Sequence, residues 1–104
     1  MNSKQRRLEF QKILEKILGS EQVWFQSPGA EKMKYPAIVY SRTRIDDTFA
    51  NDEKYSSRKA YTVIIIDPDP DSEIPDKVGK LPFSKFNRHY KANNLNHDVF
   101  TVYY

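Results

Sequence analysis

The chain has 104 residues, 38% of them hydrophobic, 13% aromatic and 30% charged, with 17 basic and 14 acidic side chains giving a net charge of +3. That length fits one domain, 1–104, with a modest core, and so small an excess of cations permits contact with a polyanion without the dense basic stripe of a dedicated duplex binder. Cysteine is absent, which removes disulfides, thiolate nucleophiles and cysteine zinc sites; no apolar run reaches membrane-span length and no signal-peptide stretch opens the chain, so a soluble product made inside the cell is expected.

Residues 3–18 predict a helix. Phe10, Ile13, Leu14, Ile17 and Leu18 follow one helical face, Glu9, Lys12, Glu15 and Lys16 lie elsewhere, and Gly19 stands where a C-terminal stop belongs. Leu8 falls off the apolar stripe, either as a single exposed leucine or as a small contact point for another subunit. Val23, Trp24 and Phe25 make a short strand, closed by Ser27-Pro28-Gly29. Residues 36–42 (PAIVYSR) form a second strand, with Pro36 tolerable at its first position. Residues 59–67 (KAYTVIIID) form the third. Tyr61, Val63 and Ile65 alternate with Thr62, Ile64 and Ile66, so both faces are largely apolar and the strand is expected to be central and covered on two sides.

Between these strands lies 43–58 (TRIDDTFANDEKYSSR), polar but with Ile45, Phe49 and Tyr55 spaced through it. A structureless loop this long is uncommon in a small domain. Either the flanking strands extend into a protruding hairpin arm, or the segment orders only on binding. Its flanks carry Arg42, Arg44, Lys54, Arg58 and Lys59, read either as a solvated face or as a patch toward nucleic acid.

The run 63–77 (VIIIDPDPDSEIPDK) ends a strand in aspartates and prolines. Paired carboxylates at a strand end suit a divalent ion or acid–base chemistry. Each acid also has an architectural purpose: Pro68 and Pro70 stop ladder pairing, Asp and Pro form turns, Pro75 suits the first position of a helix, and Asp76 lies in its favourable first turn. A calcium loop needs a glycine where this stretch has proline, and a magnesium site would recruit further ligands that no local spacing supplies. The architectural reading is preferred: a strand-to-helix corner, with a helix of about two turns through Val78 and Leu81 ended by Pro82. His89 and His97 are isolated, and Gly19, Gly29 and Gly79 do not form a phosphate loop. No catalytic residue, metal ligand or cofactor is assigned, and the chain is not expected to be an enzyme.

Residues 84–91 (SKFNRHYK) predict a half-buried strand, with Phe86 and Tyr90 on one face and a wet face opposite. A polar turn, 93–96, leads to 98–104 (DVFTVYY), with Val99 and Tyr103 on one face and Phe100, Val102 and Tyr104 on the other. Aromatics on both faces call for a second body to bury them, and tyrosine is enriched where proteins meet. The fold class expected is α+β in a single domain: an N-terminal helix, a mostly antiparallel sheet of four to five strands and a second short helix, in the order α-β-β-β-α-β-β.

The runs KYPAIVY, YTVIIIDPDPDSEIPDK and NNLNHDVFTVYY resemble small proteins encoded between the head and tail genes of long-tailed phages and prophages of Gram-positive bacteria, known as minor capsid, head–tail joining or tail terminator proteins. The similarity runs from about Val23 to Tyr104, with DPDS…IPD and LNHDVFT its most specific parts. The resemblance implies a ring, commonly a hexamer, at the head–tail junction or the head-proximal end of the tail. Its partners would be copies of itself, the major tail tube protein and the connector or stopper protein, with DNA passing through without sequence-specific binding and no membrane involved. Its place would be the virion, and the host cytoplasm during assembly. The surfaces expected to meet a subunit or the tube are Leu8, Ile45, Phe49, Tyr55, Tyr103 and Tyr104. The alternative is a small nucleic-acid-binding module using the basic flanks of 43–58 with Trp24 and the tyrosines.

Overall fold

A computed structural model describes residues 2–26, 32–50 and 53–104, the side chains of residue 3 and of 44–58 excepted. The first helix, α1 (Ser3–Leu18), forms where the apolar spacing places it and is closed at both ends. Asn2 accepts from the Gln5 amide at 2.9 Å while the Gln5 side chain accepts from the Asn2 amide at 3.0 Å, satisfying two orphan donors. At the other end Gly19 takes φ 83° and its N–H donates to the Glu15 carbonyl at 2.8 Å, a left-handed stop that costs glycine little.

The remaining elements are β1 (Val23–Phe25), β2 (Ala37–Ala50), β3 (Glu53–Asp67), α2 (Ile74–Gly79), β4 (Ser84–Ala92) and β5 (Leu95–Tyr103). They confirm the α+β class and its order. The five strands form one sheet, ordered β1-β2-β3-β5-β4, in which only the β1–β2 pairing is parallel.

β3 is central, as its apolar content demands, but its two faces fare differently. Tyr61, Val63 and Ile65 join Ile38, Tyr40, Phe100 and Val102 in a core to which α1 contributes Phe10 and Leu14 and α2 contributes Val78. Both helices therefore lie on the same side. On the opposite face Ala37, Ala60, Ile66 and Val99 are buried and Val39 and Ile64 half-buried, with no helix over them among the described residues. β3 is thus central and buried on both faces, with helices over one of them among the described residues.

The expected half-buried strand at 84–91 is also corrected. β4 is an edge strand, and eight of its nine residues are exposed. A register shift between Phe86 and Arg88 inserts one extra residue, which moves every later side chain to the other face. Phe86 thus pairs with Phe100 on the helix side, with ring centroids 5.4 Å apart, whereas Tyr90 stacks on His97 at 4.6 Å on the other. β4 and β5 are joined through Asn93 and Asn94, both at positive φ (54° and 62°), the geometry that a two-residue hairpin turn requires.

Candidate assembly interface

Residues 43–50 and 53–58 are drawn out into a two-stranded arm. β2 and β3 stay paired from Ala37↔Ile66 out to Ala50↔Glu53, with register shifts between Arg42 and Arg44 and between Thr48 and Phe49. At the root Thr43 donates its hydroxyl to the Ala60 carbonyl at 3.0 Å, holding a bulge that bends and twists the ribbon where it leaves the body. β1 accompanies β2 only over Ile38, Val39 and Tyr40, and β5 accompanies β3 only from Ala60 to Asp67. Beyond those limits both outer edges of the ribbon carry no strand among the described residues. The molecule measures 51 × 23 × 21 Å, so its long dimension is more than twice the others.

Of the residues expected to make contacts, Ile45, Phe49 and Tyr55 lie on the backbone of this arm, as do Arg44, Lys54 and Arg58. Their side chains fall outside the described residues. Leu8 is 42% exposed on α1, off the buried stripe as the wheel predicts. Tyr104 packs on its own domain: its ring stacks on Phe10 at 5.1 Å and its N–H donates to the Lys59 carbonyl at 3.0 Å. Tyr103 is half-buried, pairs with Ala60, and lines a groove with Tyr104, Phe10, Ile13, Leu81 and Phe83. This groove encloses about 320 Å³, and Arg6 is its only charged wall among the described residues.

Arg42 is exposed at the arm root and shares a face with its cross-strand partner Tyr61. Arg6 and Arg7 of α1 converge on the same tyrosine: burial pushes the Tyr61 phenol above its ordinary value, and Arg7, Arg42 and Arg6 pull the other way. Arg7 also donates to the Tyr40 hydroxyl at 3.1 Å and lies 4.2 Å above the Phe25 ring. Sequence reasoning placed Arg42 in a basic group with its chain neighbours; Arg6 and Arg7 join it only through the docking of α1, which no local pattern announces.

The acidic run is a corner. Asp67 accepts from the Asp69 amide at 2.9 Å, Asp69 accepts from the Asp71 amide at 2.9 Å, and Ser72 accepts from the Ile74 amide at 3.2 Å. Asn96 braces it from β5 by donating to the Asp67 and Pro68 carbonyls at 3.2 and 3.3 Å. The carboxylates thus take up the chain's own amides in successive turns. Among the described residues no group of three or more His, Asp or Glu side chains is gathered as metal ligands. His89 Nδ1 meets Asp98 Oδ1 at 2.8 Å on the exposed helix side of β4 and β5, an imidazole held by one carboxylate. No described helix is long and apolar enough to cross a membrane.

The candidate contact surfaces are distributed: a ribbon whose outer edges carry no strand among the described residues, an edge strand bearing exposed Phe86 and Tyr90, and exposed Leu8, Tyr35 and Phe83. Comparison with known proteins adds nothing to this: no protein-family model matches the chain, and no curated protein is significantly similar to it.

Proposed function

We propose that the protein is a structural, non-enzymatic subunit of a phage virion, assembling into a closed ring at the head–tail junction or the head-proximal tail end, where it caps the tail tube and joins it to the connector. The observation that carries this reading is the arm. A two-stranded ribbon is marginally stable by itself in water, yet this chain extends one well beyond its sheet. Such a ribbon is useful when a neighbour completes it. A contact in which one copy's protruding element meets a different surface on the next copy is heterologous, and it closes into a ring when the rotation permits. The sequence resemblance supplies the tier and the hexameric count; the ring would surround a channel for DNA, and a net charge of +3 suits passage better than capture.

The full chain should sediment as a ring-sized species, by itself or on addition of tail tubes, and electron microscopy should place that ring at one tube end. A protein that stays monomeric and leaves tubes unmodified refutes the proposal.

A second reading, a small nucleic-acid-binding module, is favoured by the meeting of Arg6, Arg7 and Arg42 around Tyr61. It predicts DNA affinity that falls steeply with salt, by one counterion-release increment for each arginine–phosphate contact. Absence of binding at low salt eliminates it.

A further inference from the structure

We infer that the open edge of β4 is the seat for the arm of a second copy, with the distal β2 edge of one chain adding as a further strand beside β4 of the next. This rests on the assembly reading above and names the two surfaces that would meet. β4 is an outer strand of the sheet, and eight of its nine residues are exposed, including Phe86 at 53% and Tyr90 at 37%. α2 leans on the helix side of that strand, and beyond Ser84, whose amide donates to the Leu81 carbonyl, no strand pairs with its outward row of amides and carbonyls among the described residues. The arm has the complementary requirement, since β2 loses β1 after Tyr40. The free stretch 41–50 has ten residues and β4 has nine, each about 30 Å at the rise of an extended chain.

Charge selects the pairing. β4 carries Lys85, Arg88 and Lys91 with no acid. The free β2 stretch carries Arg42 and Arg44 near the arm root and two acids, Asp46 and Asp47, in its outer part 45–50 (IDDTFA), so the acidic complement is confined to that outer part. The β3 side of the arm, 53–59 (EKYSSRK), holds one acid against three bases, which makes it the wrong partner for a cationic edge. Charged side chains and a bulge are the usual guards of an exposed edge; here they repel a second β4, because like charges would face across the junction, and they admit an acidic strand. Each copy offers one arm and one seat, so every contact is head-to-tail.

Reversing charge on either surface tests this in the full-length chain. Seat variants Arg88→Glu with Lys91→Glu, and arm variants Asp46→Lys with Asp47→Lys, should each weaken self-association about tenfold or more in sedimentation, with circular dichroism unchanged. Combining all four substitutions in one chain should restore assembly, which a misfolded variant would not do. Wild-type oligomers that survive reversal of the seat overturn the inference and leave the ring reading standing. A seat reversal that promotes dimers irrespective of the arm assigns β4 to self-pairing and overturns it as well. A wild-type chain that is monomeric with and without tubes sinks the assembly reading, and this inference with it.

Discussion

Replacing Phe10 by alanine should remove most of what holds α1 to the sheet. Phe10 is 1% exposed, and its ring meets Tyr40 edge-on at 5.7 Å, Tyr61 at 5.2 Å and Tyr104 in a stack at 5.1 Å. Losing the transfer of a buried aromatic side chain costs about 1.5–3 kcal/mol, each broken aromatic pair adds about 0.5–1.5 kcal/mol, and the void is lined by rings that cannot collapse inward without leaving their own partners. Core Phe→Ala changes cost about 3–5 kcal/mol, and three ring partners place this one in the upper half. A chain of this length has a total stability of about 5–15 kcal/mol, so the change consumes a large share. In a urea titration followed by far-ultraviolet dichroism, with a slope of about 2 kcal/mol per molar, the midpoint should fall by about 2 M. Phe10→Leu, which keeps most of the volume, should lose about 1–2 kcal/mol and provides a folded reference. Leu8→Ala, two residues away but 42% exposed, should stay within about 0.5 kcal/mol. A Phe10→Ala loss below about 1 kcal/mol would refute the packing argument, because it would mean that α1 does not depend on the aromatic cluster.

Tyr40→Phe should destabilise by about 1–2 kcal/mol, since it strands the Gln11 and Arg7 groups that bond the hydroxyl; thermal melts of the two proteins check it. Burial raises the Tyr40, Tyr61 and Tyr104 phenols above 10.0, so the folded state holds these protons more tightly than the unfolded one. Their contribution is complete below pH 10.0 and is lost as pH rises through the folded values. Melting temperature should therefore fall above pH 10, and less steeply in Tyr40→Phe; an equal fall in both refutes the assignment. Asn94 at φ 62° should accept glycine with no loss or a gain of up to about 1 kcal/mol, whereas Asn94→Val should cost about 1–2 kcal/mol, read as shifts in the denaturation midpoint. Asp67→Asn keeps the acceptor for the Asp69 amide and should be nearly silent, while Asp67→Ala should lose about 1 kcal/mol.

Local periodicity made α1 and central β3 legible, and Pro75 located α2, although that helix begins one residue earlier at Ile74 and stops at Gly79, short of the expected Leu81. Ile45, Phe49 and Tyr55 in a polar stretch left a hairpin and an unordered loop open, and the ladder to Ala50↔Glu53 decides for the hairpin. The faces were harder. One extra residue at Asn87 moves Tyr90 away from Phe86, a change invisible to a two-residue period, and edge position depends on strand order, which no single strand encodes. Two apolar faces on β3 pointed to burial on both, as at Val63 and Ile66, while the side that the helices take depends on tertiary docking. The Arg6–Arg7–Arg42 grouping was out of reach because its members meet through tertiary docking.

Tyr40 also sets a direction. Apolar surfaces adhere without caring about azimuth, so a helix resting on Phe10 and Leu14 alone could roll about its axis. The Tyr40 hydroxyl, accepting from Arg7 and donating to Gln11 at 2.7 Å, is fully enclosed and is satisfied at one roll angle only. Turning α1 by a single residue, about 100°, would orphan it at about 1–3 kcal/mol. A phenol inside the domain therefore determines which way Leu8 and Lys12 look on the outside.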